Sequence, residues 1–338
     1  MRLAARLPII GVVALLAAVP VVFTRYFTGA VAVETLYLGL AAASLTFLAG
    51  YGGMVSLAQT ALFGVAGFVT AKLMVDAGLG PWPAALLAIA ATGALGAAFG
   101  ALASGSEGIY FLMLTLALGV IVYFFFAQVP TFGGHEGING AAPPALLGDP
   151  VLHPTRIYYA ALVASVASYA LLRGVGRSAF GLVLQGVRDD PVRMRALGYD
   201  VRLQRAAGFT LAALIAAVAG VLGTWDQTRI SPGTIDVAAT IKLLTIAVIG
   251  GLYRLEGAWI GALVYQLLDT YTRGLTGRFE TWIGAAFLLI VLVSPDGVTG
   301  LATSVAARLR GGRRVAGTAV HEGRQPSVAS DQTEALAP

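Results

Sequence analysis

RGVGRSAFGLVLQGVRDDPVRMRALGYDVRLQR, residues 173–205, is a long polar interruption in an otherwise apolar chain. It carries seven arginines, at positions 173, 177, 188, 193, 195, 202 and 205. Apolar runs long enough to cross a bilayer flank it on both sides, so the segment is a loop held at a membrane face. Loops retained in the cytoplasm carry the excess of Lys and Arg, and this density of arginine puts the loop on that side. Within it, Arg188 to Gly198 reads as a short helix, with Pro191 near its start and Gly198 at its end. Such a helix is a natural handle for another protein. A solvated loop that serves topology alone is the plainer reading of the same charges.

The rest of the chain agrees with a membrane setting. Of 338 residues, 57% are hydrophobic and 12% charged, and the mean hydropathy is +0.81. A soluble domain carries about 25% charged residues, so this is an integral membrane protein with many spans. The net charge of +5 is a matter of topology and needs no nucleic acid. Cysteine is absent, which excludes disulfides, thiol catalysis and Cys-ligated metals. His135, His153 and His321 fall in loops or tail, so no histidine metal site within the membrane is visible, and no cofactor is called for.

Apolar runs at 7–23, 33–49, 60–75, 82–103 and 108–129 precede a long loop, and runs at 157–172, 206–225, 237–250, 257–268 and 282–293 follow it. The fold class is therefore all-α: a polytopic integral membrane protein of about ten transmembrane helices, embedded in lipid. The runs at 237–250 and 257–268 are short and separated by Gly250-Gly251, so they are expected to be broken or partly re-entrant. With both termini cytoplasmic, 15 of the 22 Lys and Arg residues lie on the inner side, which supports this orientation in a cell membrane. Residues 1–304 form one transmembrane domain with its cytoplasmic loop at 173–205, and 305–338, without apolar periodicity, reads as a disordered cytoplasmic tail. The Gly- and Pro-rich segment 130–155 is the longest external loop, suited to docking or gating if it is more than a connector.

Catalytic motifs are missing. Neither lysine, Lys72 nor Lys242, sits in a phosphate-binding loop, and there is no nucleophile elbow, zinc helix or dinucleotide fingerprint. The chain does not read as an enzyme. Glu34, Asp76, Glu107, Asp226 and Asp269 fall near the ends of the expected spans, leaving Lys242 as the ionisable residue within one. Self-powered proton coupling would need a buried relay of carboxylates, so a secondary transporter or channel fits less well than transport driven from elsewhere. Two glycine breaks stand out. Gly52-Gly53, leading through Ser56 and Gln59 to Gly64 and Gly67, and Gly250-Gly251, leading to Gly257 and Gly261, occupy corresponding places in the two halves. Paired breaks of this kind point to a translocation path, against ordinary helix packing as the plainer alternative. The four break glycines are expected to tolerate bulk poorly.

Five ordered stretches make the chain recognisable: GYGGMVSLAQTALFGVAGF (50–68), GIYFLMLTLALGVIVYF (108–124), FGLVLQGVRDDPVRMRALGYD (180–200), IGGLYRLEGAWIGALV (249–264) and VLVSPDGVTGL (291–301). With these, the sequence resembles the permease subunits of the branched-chain amino acid ABC importer family, of LivM type. The resemblance implies the ABC importer permease fold. It also implies a second, related permease as partner, two cytosolic ATP-binding subunits, and an extracytoplasmic solute-binding protein that delivers substrate. Branched-chain or other hydrophobic amino acids are the implied cargo, with urea or short-chain amides as the alternative.

Carried onto this sequence, Arg188 to Gly198 becomes the loop that couples to the ATPase. Arg188, Asp189, Leu197 and Gly198 match the family pattern, with Asp190 and Arg193 between them, and Met194 departs from a more usual alanine. Leu197 and Met194, three apart, are expected to face one way into an apolar groove. Gly52, Gly53, Ser56, Gln59, Lys242, Gly250 and Gly251 are the residues expected along the path, with Gln59 standing where many members carry histidine.

Overall fold

A chain this apolar has to satisfy its backbone polar groups internally, and it does so with helices. The structure is a computed structural model that describes residues 15–275 except 21, together with scattered positions from 281 to 300. Ten helices follow in order: α1 (Arg25–Gly52), α2 (Gln59–Val75), α3 (Pro81–Ala103), α4 (Gly108–Gln128), α5 (Pro154–Gly176), α6 (Ala179–Asp189), α7 (Pro191–Ala196), α8 (Val201–Gln227), α9 (Val237–Gly250) and α10 (Leu255–Leu275). Their starts are written locally. Pro81, Pro154 and Pro191 stand in the first turn, where a missing N–H costs nothing, and Ser178, Asp190, Asp200 and Asp236 cap the helices that follow them.

Among the described residues, six helical stretches are long and apolar enough to cross a membrane, including Pro232–Gly250, which adds a short turn to α9. The 17-residue α2 is shorter, and α10 carries Glu256, Asp269 and Arg273 along its length. The eight apolar runs from 33 to 268 all fold as helices. The first expected span lies mostly outside the described residues, although 15–20 is helical and Tyr158 donates a hydrogen bond to the Leu16 carbonyl at 2.7 Å. The last expected span lies largely outside the described residues, and the tail 305–338 wholly so.

α1 is the axis of the bundle. From Thr35 to Gly52 it is buried almost throughout, and it packs on α5, α6, α8, α9 and α10. α8 is the second organiser, packed along α3 and α2 as well as α1. A helix apolar on every side is what such a central position requires.

Three expectations change. The run 257–268 is not a short or broken element: α10 continues unbroken from Leu255 to Leu275, and at its polar end Arg273 pairs with Asp269 one turn earlier at 2.9 Å, a spacing that adds support to the helix. The break is confined to the turn between α9 and α10. Arg188 to Gly198 is not one helix either, since Asp190 is extended (φ −152°, ψ 91°) and leaves Arg188 and Asp189 on α6. Finally, Glu34 and Asp269 lie within helices rather than at span ends. The loop at 130–155 is also structured. Its Ile138–Asn139 forms strand β1, paired antiparallel with β2 (Arg229–Ile230) beyond α8.

Candidate functional site

The arginine-rich segment is built as a hinged pair. Gly181, Leu184 and Val187, spaced three apart, give α6 one buried face, which it lays against α1, α5 and α8. Asp190 then caps α7, its carboxylate accepting from the backbone N–H of Val192 at 3.1 Å and of Arg193 at 2.9 Å. Gly198, at φ +87°, ends the segment in the left-handed region. Met194 and Leu197 do not share a face. The Met194 sulfur turns inward against Gly186 of α6, whereas Leu197 is 65% exposed, as is Val192 at 69%. The apolar surface that α7 presents is therefore Val192 and Leu197, with Tyr199 beside them.

Two polar ties hold this pair to the bundle. Arg188 reaches inward and donates to the Gly50 carbonyl at the end of α1, while Asp189 takes its other nitrogens at 2.8 Å. Its aliphatic stem lies against Gly53, where a Cβ would meet Arg188 Cγ at 2.5 Å. Buried Arg205, near the start of α8, pairs with Glu107 in the α3–α4 turn at 2.9 Å, and Arg195 of α7 approaches the same carboxylate at 3.9 Å. Arg188 of α6 thus ties the pair to the end of α1, and Arg195 of α7 brings it to the α3–α4 turn. Sequence reading missed the tie between Glu107 and Arg205, which lie far apart in the chain. The one available signal was a carboxylate in a four-residue turn otherwise without charge.

The α1–α2 joint begins at the exposed Gly53 and runs inward. Gly53 adopts φ +65°, which lets its N–H bond the Ala49 carbonyl and the Met54 N–H bond that of Leu48, so the chain reverses at once. Ser56, Leu57 and Ala58 are buried beyond it, and Leu57 N–H donates to Thr115 Oγ1 of α4 at 3.1 Å. Gln59 is fully buried and accepts from Ser44 Oγ at 3.2 Å, but its Nε2 has no hydrogen-bond partner among the described residues. An orphaned donor at such depth costs about 1–3 kcal/mol, which marks the joint as strained in polarity. Gly250 and Gly251 are placed differently. Gly250 meets Gly257 where α9 and α10 cross, so closely that a Cβ on either would overlap the other's backbone.

Lys242 has a partner that its sequence position did not reveal. Its ammonium lies 3.4 Å from Glu34 Oε1 and 5.2 Å from the centre of the Tyr265 ring. Gln266 Nε2 donates to Glu34 Oε2 at 2.8 Å and to the Ala30 carbonyl at 3.1 Å. Ala30 lies in the π-helical stretch Thr28–Val33 at the start of α1. Three helices, α1, α9 and α10, so converge on a part-buried carboxylate and ammonium. Lys242 is not part of the joint: the joint packs on α4 and α6, and the end of α1 at Gly50 meets the α9–α10 turn at Tyr253, whereas Lys242 of α9 faces Glu34 of α1 and Tyr265 of α10.

Comparison with known proteins is consistent across the chain. The family model described as "Branched-chain amino acid transport system / permease component" matches residues 27–294. The high-affinity branched-chain amino acid transport system permease protein LivM of Escherichia coli is 24% identical over 291 residues, covering 78% of this chain and 67% of its own. BraD of Pseudomonas aeruginosa, a permease protein of the same description, is 26% identical over 285 residues, 77% of this chain and 91% of its own. Escherichia coli LivH, another such permease protein, is 30% identical over 141 residues, 41% of this chain and 46% of its own. No solved structure matches the chain.

Proposed function

The chain belongs to the branched-chain amino acid transport system permease family, as a multi-pass helical transport protein and not an enzyme, and from that premise we propose that it is the membrane subunit of an ATP-driven ABC importer for hydrophobic amino acids. It pairs with a second, related permease, takes substrate from an extracytoplasmic binding protein, and is driven by two separate ATP-binding subunits that dock on α7. The observation that carries the substrate reading is the Glu34–Lys242 pair, one carboxylate and one ammonium 3.4 Å apart on converging helices. An amino acid carries the complementary two charges, and can replace each partner for the other as it passes. Urea and short amides carry neither. In this reading the path runs by Lys242. The Gly52, Gly53, Ser56 and Gln59 joint and the Gly250–Gly251 turn bound its cytoplasmic end and move when α7 is pulled.

Glu34→Gln and Lys242→Gln test the site in the full complex, reconstituted in proteoliposomes with labelled leucine. Each should cut ATP-dependent uptake about 10- to 100-fold, the worth of one charge-assisted hydrogen bond of about 1.5–3 kcal/mol. The double variant should stay as inactive as either single one. Recovery in the double variant would mean the pair only stabilises the bundle. Uptake of urea in place of leucine would overturn the substrate reading, and uptake without ATP would overturn the class.

Orientation is tested apart from substrate. Reporter fusions after Gly140, in the β1 loop, and after Gly186, on α6, should read outside and inside respectively. The same compartment for both would sink the topology.

A further inference from the structure

Gln266 of α10 is only 3% exposed, yet half of its amide is unused. Its Nε2 donates to Glu34 Oε2 at 2.8 Å and to the Ala30 carbonyl at 3.1 Å, which engages both amide protons. A carbonyl and an ionised carboxylate can only accept, so the amide cannot be turned over without losing both bonds. Its Oε1 therefore points elsewhere, and among the described residues it has no hydrogen-bond partner. Buried acceptors are as a rule paired, and an orphan at this depth calls for a donor from outside the protein. The same amide touches Glu34, so the orphaned oxygen stands beside the Glu34–Lys242 pair. Those two side chains are 23% and 28% exposed, so the pair is open to a ligand while Gln266 behind it is closed in.

We propose that Gln266 is a specificity-determining residue: its Oε1 accepts from the α-ammonium of the substrate and makes the site selective for a primary amine. The inference rests on the reading of Glu34 and Lys242 as the amino acid site. When substrate enters, Lys242 gives up Glu34 Oε1 and takes the substrate carboxylate. The ammonium brings three N–H donors, of which one goes to Glu34 Oε1 and a second to Gln266 Oε1. Charge alone is read by Glu34; the number of donors is read by the two acceptors together. An amine with a single N–H, or a hydroxy acid of the same skeleton, can satisfy only one of them. The other is then left buried and unpaired, which is how a site built for hydrogen bonding rejects an analogue that lacks the donor.

The experiment measures labelled L-leucine binding to the full membrane complex, with the extracytoplasmic binding protein omitted so that its own selectivity is not read. Unlabelled L-leucine and N,N-dimethyl-L-leucine, which keeps both charges but has one N–H, are the competitors. The wild type should prefer leucine by about 10- to 100-fold, the worth of one hydrogen bond to a charged group. Gln266→Ala should lose about that factor for leucine and none for the dimethyl compound, which bonds to Glu34 alone and gains room. If Gln266→Ala does not fold, Gln266→Met keeps the bulk and should narrow the preference in the same direction. An equal loss for both ligands would mean that Gln266 only orients Glu34, and overturns the proposal. So do unchanged affinities in the variants, and so does an absence of leucine binding to the wild type. The underlying reading fails separately: leucine uptake that survives Glu34→Gln and Lys242→Gln removes the pair itself. Uptake that needs both residues, with Gln266→Ala keeping the wild-type preference, sinks this inference alone.

Discussion

Leu197→Asp should detach the ATP-binding subunits from the permease and abolish uptake, while Arg193→Ala leaves most of both. The reason lies in the apolar surface left uncovered at α7. Val192, on a six-residue helix, and Leu197, its C-cap, are large apolar side chains left exposed, while Met194 of the same helix is spent on α6. A charge placed at the desolvated centre of an interface costs about 2–4 kcal/mol, a loss of about 30- to 1,000-fold in affinity. Arg193 stands at the rim, where truncation acts chiefly on the rate of encounter. Val192→Asp should match Leu197→Asp. Met194→Ala should act differently, loosening the α6–α7 contact and lowering uptake more than co-purification. The measurements are co-purification of the ATP-binding subunits and substrate uptake in the same cells. If Leu197→Asp leaves both intact, α7 is not the docking element, and Arg254 and Glu256 are the next candidates.

The second large effect separates the glycines, which look alike in the sequence. Gly250→Ala should prevent the folded protein from accumulating, because its Cβ would occupy the place of the Gly257 carbonyl and force α9 and α10 apart. Gly53→Ala should also be severe, combining the left-handed conformation at φ +65°, about 1–2 kcal/mol for a residue with a Cβ, with loss of the space taken by Arg188. Gly52→Ala should be mild, since the nearest atom is the mobile Met54 methyl at 2.9 Å. The test is the amount of monodisperse protein after extraction, followed by uptake for whatever survives. Wild-type yield and uptake in Gly250→Ala would show that the crossing is looser than described, and severe loss in Gly52→Ala would place a backbone constraint where none is seen.

Much of the architecture was legible before any coordinates, and for a simple reason. A membrane span must be long, apolar and helical, so hydropathy alone located each of the eight runs between Val33 and Leu268. Glycine and proline at 191, 198 and 250–251 marked where the chain turns, because these residues act on the backbone locally. The bounds of α1 and α10 were read short, since polar residues such as Thr28 and Asp269 are paired within the protein and do not end a helix there. What hydropathy could not convey was which polar groups meet. Glu34 finds Lys242 and Gln266 more than two hundred residues away, Glu107 finds Arg205, and Arg188 turns inward to the Gly50 carbonyl. Nor could spacing tell that Met194 faces inward and Leu197 outward, because Asp190 breaks the helix that a three-residue interval assumes. Helix length, burial and turning depend on residues near in sequence. The pairing of charges, and the choice between a glycine that bends the chain and one that lets two helices touch, depend on what packing brings alongside.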